Sequence, residues 1–237
     1  MNNLVILVGL TLAAGLAMLL GAFLASFGKF RSRLVEAEFS HSIMAFGGGA
    51  LLSAVALVLV PYGIAKLDPL IASTCLLVGG LIFMMLDIYL LKLETPASQL
   101  VAMLLDFIPE SIALGTAFAI GSTDAVLLAA LIVLQNVPEG FNAYRELNRS
   151  YKFGPKKIMA IFFLMAFLGP IFGVSSYLWM QNQVIAIAVI VLVASGGILY
   201  SVFQDIAPRV KLAKHWAPPM GAVLGFVLGM VGVMVIK

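Results

Sequence analysis

Apolar residues run along this chain in stretches of about twenty, the length a helix needs to cross a bilayer. Short charged or Gly/Pro-rich connectors break the runs. The pattern predicts eight membrane helices, at Leu4–Phe27, His41–Ala65, Pro69–Leu91, Ser98–Gly121, Asp124–Leu147, Ile158–Met180, Val184–Ala207 and Pro218–Ile236. Only Ser122-Thr123 joins the fourth span to the fifth, and Gln181-Asn182-Gln183 joins the sixth to the seventh. Turns that short force antiparallel neighbours. No polar block is large enough for a separate soluble domain, so residues 1–237 are expected to form one transmembrane domain of all-α class.

Composition points the same way. Of the 237 residues, 62% are hydrophobic and 11% charged, and the mean hydropathy is +1.12. A soluble domain carries roughly a quarter charged residues, so this surface suits lipid and not water. Met1-Asn2-Asn3 lacks the basic start of a secretory signal, and the first span is expected to be retained. The single Cys75 lies in an apolar run and is expected to serve packing.

Charge distribution sets an orientation. Twelve of the fourteen lysines and arginines fall in odd-numbered connectors; Lys66 and Lys237 are the other two. By the positive-inside rule those connectors face the cytoplasm, so both termini are expected outside. The short chain suggests a prokaryotic inner membrane, and nucleic acid is not expected as a partner. Small residues recur at helical spacing, at Gly9, Ala13, Ala17, Gly21 and Ala25 and again at Gly221, Gly225 and Gly229. Such stripes let helices approach closely in lipid. Packing within one protomer is the expected use, with a homodimer seam as the alternative.

Four carboxylates interrupt the apolar runs: Asp87, Asp106, Glu110 and Glu139, with Asp205 near a span end. An ionised carboxylate at mid-bilayer costs at least about 2.5–3.5 kcal/mol on insertion scales. No lysine or arginine lies at mid-span to pair with them. At about 1.5 Å per residue, Glu110 and Glu139 stand roughly 18 and 22 Å into adjacent antiparallel spans, both near the midplane. Asp106 and Glu110 are one turn apart and share a helix face, as do Gln135 and Glu139.

The two spans also share a pattern. Asp106-Phe107-Ile108-Pro109-Glu110-Ser111 answers Gln135-Asn136-Val137-Pro138-Glu139-Gly140. A proline inside a helix leaves the carbonyl four residues back without its donor, here those of Leu105 and Leu134. Asp106, Glu110, Gln135, Asn136 and Glu139 are therefore the candidate ligands of a divalent cation, with backbone oxygens beside them. A divalent ion among three carboxylates leaves one negative charge, and an empty site takes up protons instead.

On these motifs the chain resembles the ZIP family of divalent-metal transporters. The resemblance implies an eight-span ZIP-like bundle with both termini outside, and it covers nearly the whole chain in topology. Phe46-Gly47-Gly48-Gly49 and the stretch from Ala194-Ser195-Gly196-Gly197 to Asp205-Ile206-Ala207-Pro208 match the family's second and seventh spans less specifically. Carried over, Asp106 and Gln135 stand where the family has histidines, and Glu110 and Glu139 keep its glutamates. Asn136 falls at a variable polar ligand. Phe107 replaces an asparagine, and Gly169-Pro170 stands where many members have Glu-Pro, so one metal position is expected. The resemblance also implies that the first, fourth, fifth and sixth spans move together against the second, third, seventh and eighth.

The implied function is transport of a divalent metal, with the ion as cargo and no resident cofactor. An oxygen-only site favours manganese, ferrous iron, magnesium or calcium, and family habit favours zinc, iron, manganese and cadmium. The alternative is a ZIP-like fold that has lost metal transport and carries another solute or regulates. No His-Glu-x-x-His, Gly-x-Ser-x-Gly or phosphate-loop motif occurs, and the chain is not expected to be an enzyme. His41 and His215 are expected to be interfacial. Asp87 and Asp205 are expected to hydrogen-bond to neighbouring helices.

Overall fold

A computed structural model describes residues 3–27, 33–92, 96–119, 121, 125–149, 151–180, 183–208, 210 and 216–236. Among the described residues the structure is helical, with no strand. Eight rods follow in order. The first, α1, is Asn3–Phe27; α2 is Arg33–Ala54, extended by a π-helical turn at Val55–Leu59 and by Val60–Ile64. Next come α3, Pro69–Leu91, α4, Pro96–Ala119, and α5, Ala125–Arg149. The sixth rod, α6, comprises Pro155–Ala166 and Leu168–Met180; α7 is Val184–Ser201 with a second π turn, Val202–Ile206; α8 is Ala217–Ile236. Seven of the eight are long and apolar enough to cross a membrane, and α4, 24 residues long, is the other.

Rod ends follow local chemistry. Pro69 and Pro155 occupy first helical positions after extended Asp68 and Gly154, where a missing N–H costs nothing. Gly121 adopts a left-handed φ of 67° just past α4, the conformation that stops a helix with least strain. Two rods depart from the expected spans. α2 begins at Arg33, not His41, because a helix continues past the apolar stretch that marks a span. α6 is interrupted at Phe167; Pro170 then lies in the first turn of the second piece, where it removes no hydrogen bond. The basic residues Lys29, Arg31, Arg209, Lys211, Lys214 and Lys237, together with His215, Ser122-Thr123 and Gln181-Asn182, lie outside the described residues.

The rods pack as two groups of four. α1 lies along α5, α4 along α6, and α1 also meets α6; α2 lies along α8 and α3 along α7. Three pairs interlock through reciprocal glycines. A Cβ on Gly21 would overlap the Val137 carbonyl, and one on Gly140 the Met18 carbonyl, across α1 and α5. Gly49 and Ala222, Gly225 and Phe46 repeat this across α2 and α8; Gly79 and Val193, Gly196 and Leu76 repeat it across α3 and α7. Backbones touch there because no side chain intervenes, which is how helices gain dispersion contact in lipid. The α8 stripe thus faces α2 of the same chain, whereas Gly9 and Ala13 at one end of the α1 stripe are exposed.

Between the groups, α5 meets α2 and α4 meets α7; a Cβ on Gly47 of α2 would lie 3.3 Å from Pro138 Cγ and 3.7 Å from the Gln135 backbone of α5. Side-chain hydrogen bonds cross this boundary, among them Ser40 Oγ to Asn142 Oδ1 at 2.8 Å and Ser201 Oγ to Asp106 Oδ1 at 3.0 Å. The candidate site lies on the same boundary.

Candidate cation site

Helices α4 and α5 run without interruption through Pro109 and Pro138 and bring their matching motifs face to face. Glu110 is 3% exposed and Gln135 5%. The Gln135 amide donates to Glu110 Oε1, which joins the two motifs directly. Glu110 Oε2 is buried with no hydrogen-bond partner. A buried carboxylate oxygen without a protein partner is costly, so the position calls for a proton, a water or a cation.

Asp106 is half-buried one turn before Glu110 and accepts the Ser201 hydroxyl from α7. Glu139, also half-buried, lies close enough to Asp106, Glu110 and Asp205 for their charges to act on it. Asp106 in turn acts on Glu110, and Asp205 on Asp106. Four carboxylates thus share one electrostatic neighbourhood at the junction of α4, α5 and α7. Among the described residues, no three Asp, Glu, His or Cys side chains converge closely enough to hold one metal ion in this conformation.

Asn136 goes elsewhere. It is fully buried, its amide donates to the Ala14 carbonyl of α1 at 2.9 Å, and its Oδ1 has no partner. Consecutive helical residues point about 100° apart, so Asn136 faces α1 while Gln135 faces α4. Asp87 accepts a 3.0 Å hydrogen bond from Tyr200, tying α3 to α7 as expected for a helix-to-helix contact.

Ser201 is the neighbour that sequence reasoning passed over. Its signal was present: it stands four residues before Asp205, near the same end of α7. Asn142 likewise continues the polar face of Glu139 three residues on, and it meets Ser40 in the first third of α2. No protein family matches the chain, and no curated protein matches it either.

Proposed function

We propose that this chain is a ZIP-like membrane carrier for a divalent metal cation, manganese, iron, zinc or cadmium, bound near the midplane between α4 and α5. The observation that carries the reading is Glu110: buried in an apolar bundle, bonded at one oxygen by Gln135 and left without a partner at the other. Asp106, Glu139 and Asp205 add negative charge around it, and no cationic side chain stands at mid-span to balance them. A cation supplied from outside is the natural counter-charge.

In this reading both termini face outward, all eight rods span a prokaryotic inner membrane, and the site alternates between its two sides. The division into α1, α4, α5, α6 and α2, α3, α7, α8 supports an elevator-type motion. Each group has helix pairs interlocked by backbone contact at their glycines, and hydrogen bonds such as Ser40 to Asn142 and Ser201 to Asp106 cross the boundary between the groups. The carboxylates would gather on the ion as Gln135 and Ser201 release them. The ion is cargo, and the chain is not an enzyme.

A second reading draws on the same geometry. Gln135 and Ser201 already satisfy one oxygen each of Glu110 and Asp106, and no three acidic groups converge among the described residues. That arrangement also suits a ZIP-like protein that carries another solute or regulates. Proteoliposomes holding the purified chain separate the two. Uptake of manganese, iron, zinc or cadmium that is lost in Glu110→Ala and in Glu139→Ala supports the carrier. Equal uptake with and without the protein, for every metal, supports the second reading.

A further inference from the structure

The connector from α5 to α6 carries charge of one sign. Lys152, Lys156 and Lys157 are exposed, and no Asp or Glu occurs between Glu146 and Asp205. Lys156 and Lys157 sit in the first turn of α6, which holds no acidic residue. Cations there oppose the helix dipole, so the helix itself gains nothing from them.

The connector is tied down. The Phe153 N–H donates to the Leu147 carbonyl at 3.1 Å, and the Asn148 amide donates to the Phe153 carbonyl at 2.9 Å. These bonds fold the connector back on the end of α5. Lys157 Nζ stands 3.7 Å from the centre of the Phe153 ring, a cation–π contact that helps to fix the ammonium. Charges already held in place lose less freedom when a ligand arrives.

Beyond the lysines, the same helix face turns apolar. Phe163, Leu164 and Phe167 follow Lys156 by seven, eight and eleven residues and so share its face. All three are exposed, and the Phe163 and Phe167 rings meet edge to face with 5.2 Å between centroids. At about 1.5 Å per residue they reach roughly 10–16 Å along the axis from Lys156. One leaflet's hydrocarbon is roughly 15 Å deep. A free anion would use the lysines alone, and a neutral lipid the apolar stripe alone. An anionic lipid uses both.

We propose that Lys152, Lys156 and Lys157 hold the headgroup of an anionic phospholipid whose chains lie on Phe163, Leu164 and Phe167 of α6. This site is separate from the carboxylates of α4 and α5, and it stands or falls independently of the cation carrier.

Native mass spectrometry of the detergent-purified full chain tests it, with phosphatidylglycerol and phosphatidylcholine of equal chain length in competition. Wild type is expected to hold phosphatidylglycerol on the order of tenfold more tightly at low salt. A lysine near the membrane surface contributes about fivefold to attraction for anionic lipid, so Lys156→Gln narrows the preference by about that factor. The triple variant Lys152→Gln, Lys156→Gln, Lys157→Gln abolishes it. All three lysines are exposed, so these variants are expected to fold, and unchanged phosphatidylcholine binding checks that they do. Lys66→Gln, an exposed lysine in the connector from α2 to α3, keeps the preference within about twofold. Glycerol phosphate, which has the anion and no chains, does not displace phosphatidylglycerol. Equal binding of the two lipids by wild type, or a preference that survives in the triple variant, overturns the inference. So does an equal loss in Lys66→Gln and Lys156→Gln, which would make it an effect of net charge. Displacement by glycerol phosphate at the lipid's own concentration would make the site one for a free anion and overturn the lipid as its occupant.

Discussion

The Ser201 hydroxyl of α7 donates a 3.0 Å hydrogen bond to the Asp106 carboxylate of α4. These residues belong to different four-helix groups, so the bond ties a candidate ligand to the boundary along which the groups would move. The Ser40 to Asn142 bond between α2 and α5 is its counterpart.

Removing that tie should cost stability when the site is empty. Ser201→Ala leaves a half-buried Asp106 without its donor, a loss of about 1 kcal/mol, as for a typical hydrogen bond. Saturating metal should shrink the deficit, because the ion then occupies the carboxylate. Thermal unfolding of both proteins, with and without manganese, checks this. A deficit of the same size in both conditions would mean that Asp106 takes no part in binding.

The interlocking glycines predict a contrast between two substitutions. Gly140→Val drives a side chain into the Met18 carbonyl of α1 and should destabilise by about 1–3 kcal/mol or more, as overpacking does. Gly47→Ala meets Pro138 Cγ at 3.3 Å and the Gln135 backbone at an ordinary 3.7 Å and should stay within about 1 kcal/mol of wild type, since the closer contact needs a shift of tenths of an ångström. The fraction of protein surviving a heat step as a monodisperse peak ranks the two. The reverse order would show that the boundary between the groups is packed as tightly as their interiors.

Acid should weaken metal binding. Ligating carboxylates must lose their protons to hold an ion, so binding releases protons and protons compete with the ion. Apparent affinity therefore falls as pH falls, and a weakly buffered sample acidifies on metal addition. A pH-sensitive dye records that release directly. Binding with no proton release and no pH dependence would mean that the carboxylates stay ionised in the empty protein.

Tyr200→Phe should separate scaffold from site. The lost hydroxyl leaves Asp87 without its 3.0 Å donor between α3 and α7, at a cost of about 1 kcal/mol. Metal affinity should remain within about twofold, below 1.4 kcal/mol. A tenfold change in affinity measured by calorimetry would place the Asp87–Tyr200 pair on the ion's route.

Much of this architecture could be read from residue order, for identifiable reasons. Lipid tolerates no unpaired backbone, so apolar runs such as Pro69–Leu91 and Val184–Ala207 translate into rods almost residue for residue. The start of α2 at Arg33 could not be read, because a helix outside the apolar layer carries no such mark. Neither could the π turns at Val55–Leu59 and Val202–Ile206: one extra residue per turn changes no composition. At the site, Glu110 and Gln135 of the two Pro-Glu segments meet in a hydrogen bond. Asn136 was grouped with them because it is adjacent in sequence, although adjacent helical residues diverge in direction. The bond between Ser201 and Asp106 depends on how α7 packs against α4, which no local pattern encodes.

The most direct test is thermal unfolding of the detergent-purified protein with and without manganese, ferrous iron, zinc, cadmium, magnesium and calcium, repeated on the Glu110→Ala, Glu139→Ala double variant. A ligand that binds only the native state stabilises it by about 2.7 kcal/mol at a hundredfold excess over its Kd. The account predicts a metal-specific rise in wild type that disappears in the double variant. A rise of equal size in both proteins, or none for any metal, would contradict a divalent-cation site at Glu110 and Glu139.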